Sequence, residues 1–164
     1  MNEFELINRY FNWPLSDPSI ELGVGDDASL FEIDADCQLV TSTDTLSEGV
    51  HFFKDALPGD IAYKSLAVNL SDIAAMGAKA KCFTLSLTLP KLDETWLQEF
   101  SESLKEASEF FKVSLIGGDT TKGPLNITIT IMGVVKNLRR LKDLVLKMGM
   151  IFMSLVILVM LPFV

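Results

Sequence analysis

The chain has 164 residues, long enough for one domain with a substantial core, since domains usually run to roughly 100–200 residues. Its formal charge is −8; five of the 14 basic residues and one of the 22 acidic ones follow Val135, so residues 1–135 carry 9 against 21, a net of −12. That balance argues against a nucleic-acid partner, although carboxylates that hold divalent cations still serve a phosphorylated ligand.

The opening Met1-Asn2-Glu3-Phe4-Glu5 lacks the basic and then apolar stretches of a secretory signal, and a cytoplasmic location is expected. Phe4, Ile7 and Phe11 recur at helical spacing before the breaker-rich Asp17-Pro18, which gives a short amphipathic helix whose expected role is packing. Ser29 to Ile33 and Gln38 to Ser42 read as strands around an Asp34-Ala35-Asp36 turn, a hairpin or a near neighbour of one. Between Asp60 and Met76 the residues Ala62, Leu66, Leu70 and Ile73 form one helical stripe, stopped at Gly77. Phe83, Leu85, Leu87 and Leu89 alternate with Thr84, Ser86 and Thr88 as a half-buried strand ended by Pro90. Asp93 caps a helix whose apolar face is Trp96, Phe100, Leu104, Ala107 and Phe111. Val113 to Ile116 is a short strand entering Gly117-Gly118-Asp119, and Ile127, Ile129 and Ile131 alternate with Thr128 and Thr130 in another. Helices interspersed among alternating strands predict an α+β fold, a mixed β-sheet covered by helices on one face. Cys37 and Cys82 lie in apolar, strand-like runs and are expected to be buried thiols in a reducing cytoplasm.

Four acidic segments share one feature, a carboxylate at a strand end or on a polar helix face beside small residues. They are Gly25-Asp26-Asp27, Ser42-Thr43-Asp44-Thr45, Asn69 to Asp72, and Gly117-Gly118-Asp119-Thr120-Thr121. Magnesium is a hard ion that wants an octahedron of oxygens and commonly bridges carboxylates to substrate phosphates. Neighbouring glycines allow close backbone approach, so peptide N–H groups, that of Gly118 foremost, can point at phosphate oxygens. Each segment also has a purely structural account: Gly-Asp-Asp as a turn, Ser-Thr-Asp-Thr as a helix cap, Asp72 as a solvated helix residue. Four of them with scarcely a basic residue nearby add weight to bound cations, because clustered carboxylates repel unless neutralised.

Taken with His51-Phe52, Gly23-Val24 and the run Asn69 to Ala78, these segments resemble in order and spacing the motifs of the thiamine-monophosphate kinase family, from about Phe4 to Val135. The resemblance implies a fold like the aminoimidazole ribonucleotide synthetase N-terminal domain for residues 1–135. It implies magnesium-dependent transfer of the ATP γ-phosphoryl group to thiamine monophosphate, giving thiamine diphosphate. By the same resemblance Asp27, Ser42, Thr43, Asp44, Asp72 and Asp119 are magnesium ligands, Gly118 and Asp119 contact ATP, and His51 contacts the thiamine substrate. No nucleophile-and-base pair is visible, in keeping with a phosphate nucleophile already ionised at neutral pH. A homodimer that pairs these domains through their strands is implied as well, whereas the residues themselves show only strands in need of partners. Two rival readings stand beside this one: another ATP-using synthetase of the same superfamily, and a membrane-tethered, non-catalytic cation-binding protein.

After Val135 the resemblance stops. Lys136 to Lys147 is basic, and the 17 residues from Met148 to Val164 are almost wholly apolar and hold four of the seven methionines. One reading is a membrane anchor behind a basic flank, near the lower length limit and interrupted by Pro162. The other is a shifted reading frame, in which the last base of each codon joins the first two of the next. Met148 followed by Gly149 then requires glycine, and Met150 followed by Ile151 requires aspartate. The junctions from Met148 onward permit Gly-Asp-Asp-Ile-Tyr-Val-x-Gly-Asn-Ile-Gly-Asp-Ala-Ala, and those from Leu141 to Lys147 permit Lys-Arg-Ser-Gly-Ala-Lys. This hidden segment resembles what the kinase family carries after its amino-terminal domain. The frameshift is the expected reading: the second domain and an ATP-binding arginine near Lys142 and Asp143 are then missing, and the chain alone is expected to be inactive.

Overall fold

The computed structural model describes residues 2–15 and 17–136, so both readings of the segment after Lys136 lie outside the described residues. In chain order the elements are α1 (Glu3–Tyr10), β1 (Ile20–Leu22), β2 (Leu30–Phe31), β3 (Cys37–Ser47), α2 (Pro58–Ala75), β4 (Lys79–Leu89), α3 (Glu94–Phe111), β5 (Ser114–Lys122) and β6 (Asn126–Lys136). The main sheet has the order β3-β6-β4-β5; β4 and β5 run parallel, joined by α3, and the other two pairings are antiparallel. This is the mixed sheet with helices on one face that the alternation of strands and helices implies.

The core lies between that sheet and α2 and α3. Phe83, Leu85 and Leu87 of β4 and Ile127, Ile129 and Ile131 of β6 meet Ile61, Leu66 and Ile73 of α2 and Leu97, Phe100 and Leu104 of α3. Each such side chain taken fully out of water stabilises the fold by roughly 1.5–3 kcal/mol. Pro58 starts α2 two residues before the expected boundary, where its missing N–H costs nothing. Gly77, at φ 65, ends it: its N–H donates to the Ala74 carbonyl at 2.9 Å and that of Ala78 to Ile73 at 3.1 Å. The Asp93 carboxylate accepts from the Trp96 N–H at 3.2 Å, as its position before the helix predicts. Leu97, absent from the expected apolar face of α3, is fully buried, whereas Phe111 at the helix end stays partly exposed.

Three expectations are corrected. Ser29 to Ile33 and Gln38 to Ser42 do not form a hairpin: β2 is two residues long and pairs with β1, while β3 runs for 11 residues along β6. The longer ladder wins because it joins 11 residue pairs and lets the Thr43 and Thr45 hydroxyls pair with those of Thr130 and Thr128, at 2.9 and 2.8 Å. Cys82 is buried, packed with Ile20, Phe31, Ile116 and Met132 on the sheet face opposite the helices. Cys37 is not; it opens β3 at an exposed turn, beside Asp36. The third correction concerns α1. Its buried residues are Leu6 and Tyr10, together with Phe11 just beyond its end, whereas Phe4 of the expected packing stripe is 77% exposed. Among the described residues, no helix is long and apolar enough to cross a membrane.

The segment that leads from α1 into β1 is anchored by one half-buried ion pair, Lys81 Nζ to Asp17 Oδ2 at 2.8 Å. Burial alone would raise the Asp17 pKa, but hydrogen bonds from Lys81 and from the Ser19 hydroxyl and amide outweigh it and hold the group at about 2, against an ordinary 3.8. A depressed carboxylate pKa stabilises the fold above the unfolded value, and that stability is lost as the pH falls from about 4 through about 2. Asp17→Asn should therefore lower stability at pH 7 by about 2 kcal/mol. Urea unfolding should show the deficit shrinking to a small fraction as the pH falls to the folded pKa; an equal deficit at pH 7 and there would refute the assignment.

Candidate functional site: two carboxylate groups on opposite edges of the sheet

The first group lies on the β3 edge. In β3 the buried Val40 and Leu46 alternate with exposed Thr41, Thr43 and Thr45, which places Ser42 and Asp44 on the side facing α2. The Ser42 hydroxyl donates to Asp72 Oδ2 of α2 at 2.7 Å. Asp44 is raised from its ordinary pKa first by desolvation and then by the charge of Asp72, with His51 pulling the other way. Asp72 itself sits in the last turn of α2, which holds no basic residue and where the unpaired carbonyls make the helix end negative. Thr43 faces away from this group, its hydroxyl paired with Thr130.

His51 closes the same edge. The Ser47 N–H donates to His51 Nδ1 at 3.0 Å, so the neutral ring carries its proton on Nε2. Lys64 Nζ donates to the His51 carbonyl at 2.7 Å and ties the turn to α2. The turn itself is made by Gly49, at φ 77, whose N–H donates to the Phe52 carbonyl at 2.9 Å.

The second group lies at the β5 edge. Asp26, Asp27, Gly117, Gly118, Asp119 and Thr120 line a cleft of about 220 Å³ whose other wall is Phe4, Ile7, Asn8 and Phe11 of the α1 region, with Val24, Leu85 and Leu115. Gly118 has φ 150, and a Cβ on it would stand 1.8 Å from the Leu85 carbonyl oxygen, so the close approach of β5 to β4 admits no side chain there. Gly25, at φ 112, makes the turn that presents Asp26 and Asp27.

The cross-sheet register sets Asp44 opposite Ile129, Ile129 opposite Leu85, and Leu85 opposite Gly118. Three ladder steps of ~4.8 Å put the two edges about 14 Å apart at the backbone. The structure thus brings Ser42, Asp44 and Asp72 together beside His51, and separately brings Asp27, Gly118 and Asp119 together. From the sequence, Phe4 and Ile7 read only as packing residues and Val24 and Thr120 only as members of the motifs, while Asn8 and Lys64 carry no signal. Phe4 and Ile7 extend the apolar arc of Leu6, Tyr10 and Phe11, and spacing does not set them apart from it.

Ser42, Asp44 and Asp72 fit magnesium by the chemistry of the donor set: hard oxygens only, like-charged and partly desolvated, at a negative helix end. None of the ion pairs among the described residues involves Asp27, Asp44, Asp72 or Asp119. A third acidic group, Asp34 and Asp36 with Cys37, differs in that Asp36 already has Lys136 at 3.5 Å.

The domain is a mixed sheet with helices on one face, carboxylates at both edges and a glycine-lined cleft at one of them. Residues 25–135 match the AIR synthase related protein N-terminal domain, and the chain belongs to that family. Over 136 residues it is 51% identical to the thiamine-monophosphate kinase of Buchnera aphidicola subsp. Schizaphis graminum, covering 82% of this chain and 42% of that protein. The crystal structure of thiamine-monophosphate kinase from Stenotrophomonas maltophilia K279a is 46% identical at a TM-score of 0.74, with 83% of this chain and 43% of that one covered. AaThiL complexed with AMPPCP and TMP is 30% identical at a TM-score of 0.61, with 81% and 41% covered. The chain therefore spans about 42% of the length of the first of these relatives.

Because its pKa is raised on folding, Asp44 favours the folded state only below its unfolded pKa and opposes it once the pH passes the folded one. Asp44→Asn should therefore raise the Tm at pH 7 in the absence of magnesium. It should also remove most of the gain that magnesium gives the natural chain, about 1.4 kcal/mol at ten times Kd. Thermal melts with and without magnesium check both; a destabilised variant with an unchanged magnesium gain would reject the pairing.

Proposed function

We propose that the chain is the nucleotide- and magnesium-binding half of a thiamine-monophosphate kinase, which transfers the ATP γ-phosphoryl group to thiamine monophosphate to give thiamine diphosphate. The observation that carries this is the sorting of the acidic motifs into two groups beside different ligand-binding features. Asp27 and Asp119 rim the cleft with Gly118, while Asp44 and Asp72 stand beside His51. Its support from relatives is the 30%-identical AaThiL, which was solved with AMPPCP and TMP.

On this reading Gly118 and Asp119 meet the ATP phosphates, and His51 meets the thiamine substrate. Asp27, Ser42, Thr43, Asp44, Asp72 and Asp119 hold magnesium, Thr43 through its backbone because its hydroxyl is committed to Thr130. Magnesium supplies charge neutralisation for phosphate groups brought close together. The chain's own residues position the two phosphates, and no side chain removes a proton, since a phosphate monoester is already ionised at neutral pH. Turnover needs residues beyond those of this domain, so the 164 residues alone bind magnesium and nucleotide without transferring phosphate. The partner expected of the domain is a second copy: β3 and β5 are the outer strands of the sheet, and a strand edge left open invites pairing. The site of action is the cytoplasm.

Calorimetric titration of the chain with magnesium and a non-hydrolysable ATP analogue should show saturable binding that requires magnesium, and Asp119→Asn should weaken it at least tenfold. Binding that is indifferent to magnesium would defeat the reading.

We also propose that residues 137–164 are translated from a shifted frame of the same kinase. The support is that the junctions from Leu141 to Lys147 and from Met148 to Pro162 permit the kinase-like hidden segment, two of them by requirement. Sequencing the encoding DNA should show an open shifted frame that continues the kinase, whereas stop codons in that frame would refute it. Since Lys136 belongs to β6, removal of residues 137–164 leaves the sheet whole and should increase soluble yield.

A further inference from the structure

We propose that Lys64 is a positioning residue: its ammonium, bonded to the His51 carbonyl, holds the His51 ring at a fixed place beside Asp44 and Asp72 with Nε2–H as the donor it presents. That this donor meets the thiamine substrate rests on the reading above; the positioning itself does not.

His51 sits in a turn that its own residues hold weakly. Val50 and Phe53 on either side are 77% and 67% exposed, whereas Phe52 between them reaches the core. Within the turn the Val50 and His51 N–H groups share one acceptor, the Ser47 carbonyl, at 3.2 and 3.0 Å. Backbone bonds that face water open at little cost. The bond that fixes the ring, from the Ser47 N–H to Nδ1 at 3.0 Å, lasts only while the His51 backbone stays in place. Lys64 keeps it there, with Nζ 2.7 Å from the His51 carbonyl. A charged donor makes a shorter and stronger bond than a neutral one, and this one comes from outside the turn.

Lys64 also stands on an element that does not drift. Ile61, Leu66 and Ile73 hold α2 against the sheet, each at most 3% exposed. Lys64 and Asp72 lie eight residues apart on that helix, roughly 12 Å along its axis. Both reach toward the β3 side, Lys64 to the turn that follows β3 and Asp72 to Ser42. β3 in turn carries Ser42, Asp44 and, at its end, Ser47. His51 is therefore braced by the same two elements that carry the carboxylates, its ring from β3 and its carbonyl from α2. The ring lies close enough for its charge to pull on Asp44. A donor braced in this way keeps a constant distance from an ion held by Asp44 and Asp72. A ligand that spans the two needs that constancy, since a displacement of about 1 Å at a reacting site can cost about 100-fold.

The chain has one histidine, so NMR reads its ring nitrogens without ambiguity. At a pH of about 8, where an imidazole is neutral, the natural chain should show a protonated Nε2 and an accepting Nδ1. Lys64→Met keeps the aliphatic stem and loses the donor. Its ring should show the averaged shifts of two exchanging tautomers, and Lys64→Arg should restore the natural pattern. Averaged shifts in the natural chain, or the natural pattern in Lys64→Met, would overturn the proposal. Calorimetry on the full chain reads the consequence. Magnesium alone should bind Lys64→Met as it binds the natural chain, which also verifies the fold. Thiamine monophosphate with magnesium should bind Lys64→Met about tenfold more weakly. The double variant with His51→Ala should lose no more than His51→Ala does alone. Losses that add would mean that Lys64 meets the substrate itself, and the positioning role would fall. Unchanged affinity in His51→Ala would end the substrate assignment and leave the ring spectra to decide the positioning.

Discussion

The β3 edge holds Asp44 partly out of water and near the charge of Asp72, and the two effects, desolvation first, raise its pKa. Two carboxylates are held beside each other, partly out of water, at the negative end of an 18-residue helix. His51 and the Ser42 hydroxyl offset this only in part, since the Asp44 pKa stays raised, and the fold supplies the rest elsewhere. It does so through the buried face of α2, where Ile61, Leu66, Ala67 and Ile73 are at most 3% exposed, and through the 11-pair ladder of β3 on β6. Both elements are pinned by apolar contact at points away from the acids, so the acids cannot relax apart. Charge strain kept by a rigid scaffold is what pre-organises a cation site.

The same economy of backbone appears at the β5 edge. Gly118 lies against the Leu85 carbonyl because β5 shifts register between its pairings with Phe83 and Thr84, and only a residue without a Cβ fits the gap. The irregularity falls where the chain presents Gly117, Gly118 and Asp119 to the cleft.

Much of this was legible in the residues. The period-two run from Phe83 to Leu89, the Asp93 cap and the Gly77 stop each depend on contacts within a few residues, and each stands where local chemistry places it. What was not legible depends on partners distant in sequence. β3 reads as five residues because Asp44 is a poor strand former and Ser42-Thr43-Asp44-Thr45 also fits a cap, and only the isoleucine-rich β6 opposite extends the ladder. The motif residues could be named but not sorted: whether Asp27 belongs with Asp119 or with Asp44 is decided by which sheet edge each approaches, a property of strand order. For α1 the spacing of Phe4, Ile7 and Phe11 marks an apolar face of which Phe11 is buried and Phe4 is not, since periodicity does not say how far along a face the core reaches.

The separation of the two edges has a consequence for how ligands bind. Oxygens that share one magnesium ion at ~2.1 Å are at most ~4.2 Å apart. Asp44 and Asp119, whose strands lie about 14 Å apart at the backbone, do not share one. On the proposed reading, ions held by these two carboxylates are therefore connected through the phosphate groups of the ligands. Metal and nucleotide then raise each other's affinity by the same factor, because the coupling free energy belongs to the pair. The scaffold fixes each end, and the ligand completes the path between them.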